Sequence, residues 1–329
     1  MAHSFNFHNV PQAYHEMIWK VKINGIEEES RNGPVISLSE PIAITISEPR
    51  QRVLFDPVRN ANPFFHLMES IWMLAGGQDV EWLTQFNRRM SDFAEADGIQ
   101  RGAYGFRWRY HFGFDQLLWA VRELKRAPDS RRIVLSMWDP GFDTVGAPER
   151  TKDLPCNTHT YLRSDGKSLH QTVCSRSNDL IWGLLGANVV HFTILQEVLA
   201  RAIGLDVGKY HILSNNVHIY KNLENFGEIT RTNFTYNPYK DRVEPMPIIF
   251  EDLRDFLSDC QSFVAGTVES IKNPWLQNVA HPIYMAWQDR NDGQNLIEDL
   301  KLIMATDWRL ACFEWLVRKG KLEADTVII

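Results

Sequence analysis

The chain has few cysteines and arranges them in no paired pattern. The four are Cys156, Cys174, Cys260 and Cys312. None forms a C-x-x-C pair and no His–Cys spacing suits zinc, which excludes a zinc module and a disulfide scaffold. Free thiols fit a reducing compartment, and a cytoplasmic location is expected. Basic excess is also missing: 35 Lys and Arg stand against 41 Asp and Glu, a net charge of −6. Proteins that track a nucleic-acid duplex carry a basic surplus, so polymeric nucleic acid is excluded as a partner. A single nucleotide needs only a few local arginines. There is no uninterrupted run of about 18 apolar residues, so no membrane span is expected. The stretch from Met1 to Asn9 has no basic segment leading into an apolar one, so it does not read as a signal peptide. Repeats, low-complexity tracts and a convincing linker are absent too. The 329 residues, 44% of them hydrophobic, read as one domain spanning 1–329.

What is present is a mixed order of strands and helices. Ile42, Ile44 and Ile46 alternate with Ala43, Thr45 and Ser47, and the stretch from Val35 to Phe55 reads as strand. Phe64 to Leu74 is apolar at helical spacing and stops at Gly76-Gly77. Gln116 to Arg126 is amphipathic, with Leu117, Val121 and Leu124 on one face. A turn at Pro128-Asp129-Ser130 leads into a strand from Ile133 to Trp138. Tyr161 to Val173 reads as a hairpin with Ser164-Asp165-Gly166 at its tip. Val189 to Ile203 is apolar nearly all round, which marks a buried helix. Residues 221 to 329 are expected to mix short strands and helices. Strands and helices do not alternate regularly, so the fold class is α+β rather than α/β.

The chemistry concentrates between Asp153 and Tyr220. Cys156 follows Leu154-Pro155. A lone cysteine is most often a small buried hydrophobe, but one held near positive charge is a nucleophile. Arg176-Ser177 offers a guanidinium fork and a hydroxyl, and Arg131-Arg132 and Arg31 offer further forks; planar guanidinium matches phosphate oxygens. The plain alternative for each arginine is a solvated surface charge. Asp179 can accept from the N–H groups of a pterin-like ring, and Asn188 carries one donor and one acceptor for a pyrimidine edge. Turn and cap chemistry is the alternative for both. His218 and Tyr220 alternate on a strand and share a face that can hold a ribose. Glu69 interrupts an apolar helix, where a carboxylate is costly unless paired or used to shuttle protons.

These residues, in this order, resemble the thymidylate synthase family. The likeness runs from about Ser30 to Tyr220 and is weaker beyond. It rests on Arg31, on Glu69 in E-S-I-W-M-L, and on Tyr104-Gly105-Phe106-Arg107-Trp108. It continues with Asp129 to Arg132, Pro155-Cys156, and R-S-x-D beginning at Arg176, twenty residues after the cysteine. Asn188 and the His218-x-Tyr220 pair complete it. The resemblance implies a three-layer fold with a large mixed sheet and a buried central helix. It implies that Cys156 adds to C6 of a pyrimidine nucleoside monophosphate, so that C5 captures a one-carbon unit from methylene-tetrahydrofolate. Glu69, Tyr104 and Asn157 stand in the catalytic set. Arg31, Arg131, Arg132, Arg176 and Ser177 hold phosphate, the Arg131-Arg132 pair coming from the partner subunit of a homodimer. Asn188, His218 and Tyr220 read base and sugar, Asp179 holds the folate, and no metal is required.

The chain departs from the synthase pattern in three places. Asn157 follows the cysteine, where the synthases have His. Gly186-Ala187-Asn188 replaces Pro-Phe-Asn, with one extra residue after Gly183. The stretch Met90 to Gly98, M-S-D-F-A-E-A-D-G, lacks the two tryptophans that shield the methylene intermediate. Without that shield, water reaches the one-carbon unit and leaves a hydroxymethyl group, so the nucleotide hydroxymethylases are the better match and methyl transfer to dUMP the alternative. Uracil and cytosine stay equally open, as do ribose and deoxyribose. A cysteine hydrolase using Cys156 with His159 or His218, and a non-catalytic nucleotide-binding protein, are the rival classes. The coherent catalytic set argues against both.

Overall fold

A computed structural model describes residues 3–145, 151–231 and 236–327. Its frame is a six-stranded mixed sheet in the order β1-β4-β9-β7-β6-β5. The strands are β1 (His3–Phe7), β4 (Ile42–Ile46), β9 (Asp206–Ser214), β7 (Ser168–Ser175), β6 (Asn157–Ser164) and β5 (Val134–Ser136). A second sheet joins β2 (Ile26–Ser30), β3 (Gly33–Ser37), β10 (Val217–Tyr220) and the two-residue β8 (Asn178–Asp179). Period-two burial follows the sequence alternation: Ile42, Ile44 and Ile46 are buried while Ala43 and Thr45 between them are half-buried. On that outer face Tyr161 and Leu213 are each 44% exposed.

The inner face is covered by the helix Asn188–Ile203, whose residues from Val189 to Ala200 are all buried. Buried amides fasten it to the sheet. Gln171 Nε2 donates to the Phe192 carbonyl at 2.8 Å, and Gln196 Nε2 donates to the Leu169 carbonyl at 2.8 Å. The segment Leu180–Ile203 is long and apolar enough to cross a bilayer, but 83% of its most apolar window is buried inside the protein. It is the core helix, and each fully buried Leu, Ile or Phe along it contributes roughly 1.5–3 kcal/mol.

The helices α1 (Val10–Asn24) and α2 (Pro63–Ala75) and the helix Gln116–Arg126 pack around this centre. α2 begins at Asn62, whose side chain accepts from Phe65 N at 3.2 Å, and it ends at Gly76 with φ 83°, a left-handed stop that glycine adopts without strain. Outside α2 lie the helices Leu253–Val264, His281–Gln288 and Thr306–Arg318. Sheet, core helices and outer helices make the α+β three-layer arrangement. Helix boundaries at 63–75 and 116–126 and the hairpin at 157–175 follow the sequence pattern. The C-terminal third does not: among the described residues after Tyr220 there are helices and no strand. Its apolar positions were too sparse and too closely punctuated by Pro, Gly and Asn to distinguish a three-turn helix from a strand.

Candidate active site

The hairpin β6–β7 explains why Arg176 stands twenty residues after Cys156. Two strands of eight residues fold back on each other, pairing Asn157 with Ser175. The residues just outside the pair then meet, and Arg176 N donates to the Cys156 carbonyl at 2.9 Å. The Arg176 side chain folds over the loop: Nε donates to the Pro155 carbonyl at 3.0 Å, and Nη2 donates to the Leu154 carbonyl at 3.1 Å and reaches Sγ of Cys156 at 3.8 Å. Asp153 anchors the same loop by accepting from Gly102 N at 3.0 Å. Burial pushes the Cys156 thiol up, while the charges of Arg176 and Arg31 pull it down and those of Asp153 and Asp179 oppose them. Burial is the largest of these influences, and the cations stand in place to favour the thiolate.

Tyr104 reaches this loop from a helical turn, Tyr104–Phe106, laid against α2. A Cβ at Gly105 would sit 2.1 Å from the Met73 carbonyl oxygen, so only glycine allows the approach. The next turn fixes the segment with Arg107, fully buried and bidentate to Asp143 at 2.6 and 2.7 Å. The Tyr104 hydroxyl oxygen accepts from Asn157 N at 3.2 Å and from Asn157 Nδ2 at 3.1 Å.

Asn157 begins a series of side-chain amides. Its Oδ1 accepts from Asn178 Nδ2 at 3.3 Å, and Asn178 Oδ1 accepts from Asn188 Nδ2 at 3.2 Å. Asn188 opens the core helix. One turn later His191 Nε2 lies 3.1 Å from Oε2 of Glu69 on α2, which places the carboxylate beside the same helix end. His66, three residues before Glu69, is held well below the usual histidine range by burial and by the nearby Arg59 and His191. The extra residue after Gly183 is absorbed in a wide π-type turn, Leu180–Ala187, where Leu185 and Gly186 leave helical geometry. The turn leads directly into Asn188, the first residue of the core helix.

The remaining candidates meet along β10. Asn216 Oδ1 accepts from Ser177 Oγ at 3.0 Å and from His218 Nδ1 at 2.8 Å. The bond puts the imidazole proton on Nδ1 and leaves Nε2 as an acceptor, and burial lowers the ring's pKa so that it stays neutral. His218 and Tyr220 pack edge to face with centroids 4.9 Å apart. Asn32 Nδ2 donates to the Tyr220 hydroxyl at 3.3 Å, tying the turn that carries the exposed Arg31 to this face. Asp179 Oδ1 accepts from Ile181 N at 2.5 Å and Trp182 N at 3.0 Å, so the cap role weighed for it is real, and burial pushes its carboxyl up to about 6. Beside it the Arg59 guanidinium stacks on Trp182 at 4.2 Å.

Cys156, Tyr104, Asn157, Arg176, Asn188, Asp179 and Glu69 thus converge, with Ser177, His218, Tyr220 and Arg31 along one edge. Arg131 and Arg132 do not join them within one chain. Both are exposed before β5, where Arg132 acts on Glu123 of the helix Gln116–Arg126. Sequence reasoning missed Asn178, His66, His191, Arg59 and Asn216. The legible signals were polar residues recurring one helical turn apart in apolar helices, His66 with Glu69 and Asn188 with His191. Among the described residues no cluster of His, Cys, Asp and Glu is arranged to hold a metal ion.

The family model described as Thymidylate synthase matches residues 12–240. A deoxyuridylate hydroxymethyltransferase of Pseudomonas phage M6 is 40% identical over 94% of this chain and 93% of its own length. Proteins of the same name from Bacillus phage SP01 and Delftia phage PhiW-14 are 34% and 29% identical. The first of these two aligns with 59% of this chain and 52% of its own length, the second with 88% and 79%. With a thiol, a neighbouring arginine and a polar edge assembled as described, and a matching model over more than half its length, the chain belongs to the thymidylate synthase family.

Proposed function

We propose that the protein is a deoxyuridylate hydroxymethyltransferase, placing a hydroxymethyl group on C5 of dUMP. The observation that carries the hydroxymethyl ending is the segment Met90 to Gly98. It borders the cysteine loop, with Lys152 Nζ donating to the Ala94 carbonyl at 2.8 Å and Lys152 N donating to Glu95 Oε1 at 3.0 Å. No tryptophan stands in it; Met90 is buried and Phe93 is 45% exposed. An indole lid is missing where a reactive carbon must be kept from water. The names of the relatives favour uracil and deoxyribose over the alternatives left open by sequence.

The chemistry follows from the residues. The Cys156 thiol loses its proton and Sγ bonds to C6, which gives C5 carbanion character. Arg176 and Ser177, with Arg31, bind the nucleotide phosphate, and the arginine charge favours the thiolate. Asn188 pairs with the O4 and N3 edge, and Nε2 of His218 with the Tyr220 hydroxyl receives the sugar. Methylene-tetrahydrofolate supplies the one-carbon unit when bound, and the half-buried Asp179 and the Trp182 face would be the acceptor and the stacking partner for its flat ring. The C5 proton would be removed and the carbon–nitrogen bond to the folate would break, tetrahydrofolate leaving unoxidised. Water then adds to the exocyclic carbon, giving its proton to Glu69 with His191 beside it, and the S–C6 bond breaks to release the Cys156 thiolate, which is reprotonated. A homodimer is part of this reading: Arg131 and Arg132 reach the phosphate of a second subunit, and the outer sheet face carrying Tyr161 and Leu213 is the surface where two copies meet.

The test is incubation with methylene-tetrahydrofolate and each of dUMP, dCMP and CMP, read by mass spectrometry of the nucleotide. Gain of one CH2O unit on dUMP, its oxygen drawn from heavy-oxygen water, is expected. Gain of a methyl group with appearance of dihydrofolate would replace the proposal with thymidylate synthesis.

A further inference from the structure

We infer that Asn178 and Asn157, neither of which need touch the nucleotide, set which pyrimidine Asn188 accepts, because the three amides are hydrogen-bonded head to tail and end on Tyr104. The inference rests on the pyrimidine site proposed above. An asparagine facing a pyrimidine has two orientations. With Oδ1 toward N3 and Nδ2 toward the C4 substituent it matches uracil, which offers N3–H and a carbonyl. Turned over, it matches cytosine, which offers a bare N3 and an amine. An isolated asparagine turns easily and discriminates poorly.

Here Asn188 is not isolated. Its Nδ2 donates to Asn178 Oδ1, Asn178 Nδ2 donates to Asn157 Oδ1, and Asn157 Nδ2 donates to the Tyr104 hydroxyl oxygen. Asn157 and Asn178 are buried, 1% and 4% exposed. Asn178 engages one Nδ2 hydrogen of Asn188; the other hydrogen and Oδ1 are left to meet a pyrimidine, which for the dUMP proposed above is the uracil-matching sense. Turning Asn188 alone would set its carbonyl against the carbonyl of Asn178, leaving a buried pair unmade at a cost of about 1–3 kcal/mol. Relief requires Asn178 and then Asn157 to turn as well, and the Tyr104 hydroxyl to rotate and donate. The series is therefore all or none. Gly183 belongs to it, since a Cβ there would lie 2.5 Å from Asn178 Oδ1 and push that amide out of line. In this arrangement Asn157 and Asn178 are positioning residues for specificity.

The experiment measures Kd for dUMP and dCMP by calorimetry, and kcat/KM for both, in the full-length protein and its variants. The parent is expected to prefer dUMP. Asn178→Ala uncouples Asn188 and should shrink the dUMP-to-dCMP preference by about tenfold, chiefly through KM and Kd, with kcat on dUMP changed less. Asn157→Ala should shrink it in the same sense. Asn178→Asp, whose ionised carboxylate accepts on both sides, keeps Nδ2 of Asn188 engaged and should retain the preference. A parent-like preference in both alanine variants, or its loss in Asn178→Asp, overturns the inference. Should either alanine variant fail to fold, the other and the aspartate variant decide. Because binding is read apart from turnover, nucleotides that bind with the expected ratios but are not hydroxymethylated would refute the reaction and leave the amide series standing. If neither nucleotide binds, both fall.

Discussion

The Arg176 guanidinium and the Cys156 sulfur are 3.8 Å apart, and the arginine is held there by the carbonyls of Leu154 and Pro155 rather than by a carboxylate. Its charge is left unneutralised for the sulfur and for an incoming anion. Arg176→Ala should therefore slow alkylation of Cys156 at neutral pH by about tenfold, the effect of raising a thiol pKa by roughly one unit. Peptide mass spectrometry would follow the Cys156 adduct separately from the half-buried Cys174. Equal rates in parent and variant would remove Arg176 from the activation of the thiol. Cys156→Ser should abolish turnover while dUMP still binds.

Asp179 gives a second prediction, on pH. Burial holds its carboxyl near 6, above the ordinary aspartate value, against the hydrogen bonds from Ile181 and Trp182 that favour the ionised form. Below about pH 6 the group is protonated and accepts less well from the N–H groups of a folate ring. KM for methylene-tetrahydrofolate should rise as pH falls through this range. Asp179→Asn keeps the helix cap but cannot ionise, so its KM should be higher throughout and flat across the same interval. A parent-like acid limb in the variant would assign the titration to another group.

Much of this site was legible in the chain because its parts are local. The spacing of Cys156 and Arg176 is a hairpin, and alternation placed His218 and Tyr220 on one face. Helix α2 announced itself through Asn62, its apolar period and Gly76. The illegible parts depend on pairing between distant segments. Asn178 occupies the variable position of R-S-x-D and gains meaning only where β8 meets β10 and the turn before Asn188. His191 reads as one polar residue in a buried helix until α2 brings Glu69 to it. The geometry of the turn Leu180–Ala187 around Gly183, π-type with Leu185 and Gly186 outside helical geometry, likewise has no signal in the apolar run of its sequence.

The proposed homodimer can be tested through its shared sites. Arg131 and Arg132 lie away from Cys156 of their own chain, so a subunit lacking them should lend an intact Cys156 to a partner that supplies them. Cys156→Ser and the double variant Arg131→Ala, Arg132→Ala should each be nearly inactive. Mixed after mild dissociation and reassembly, they should regain activity, up to about a quarter of the parent by random pairing if each site works independently. No recovery, or full activity in a particle of monomer mass by light scattering, would mean that each chain completes its own phosphate site.

A buried network far from the site ties the C-terminal helix to the core and should shape stability against pH. Asp307, 1% exposed, accepts from the Tyr239 hydroxyl at 2.9 Å and from Trp308 N at 2.8 Å, while Tyr239 accepts from Val53 N at 3.1 Å. Burial raises the Asp307 carboxyl to about 7 from an ordinary 3.8, with Glu197 adding to the rise and Arg52 opposing it. Because the folded-state value is the higher one, the folded chain keeps its proton where the unfolded chain has lost it. The contribution to stability is thus fully present below about pH 4, falls as pH rises through about 7, and is constant above. Its size is on the order of 4 kcal/mol, about 1.4 kcal/mol for each unit between the two values. Asp307→Asn removes the titration at the cost of about one hydrogen bond, or ~1 kcal/mol at acid pH. The difference in melting temperature between parent and variant should favour the parent at about pH 4 and below and favour the variant near pH 8. A difference that stays constant across that range would show that Asp307 is ionised in the folded protein, held by Arg52 more strongly than burial opposes it.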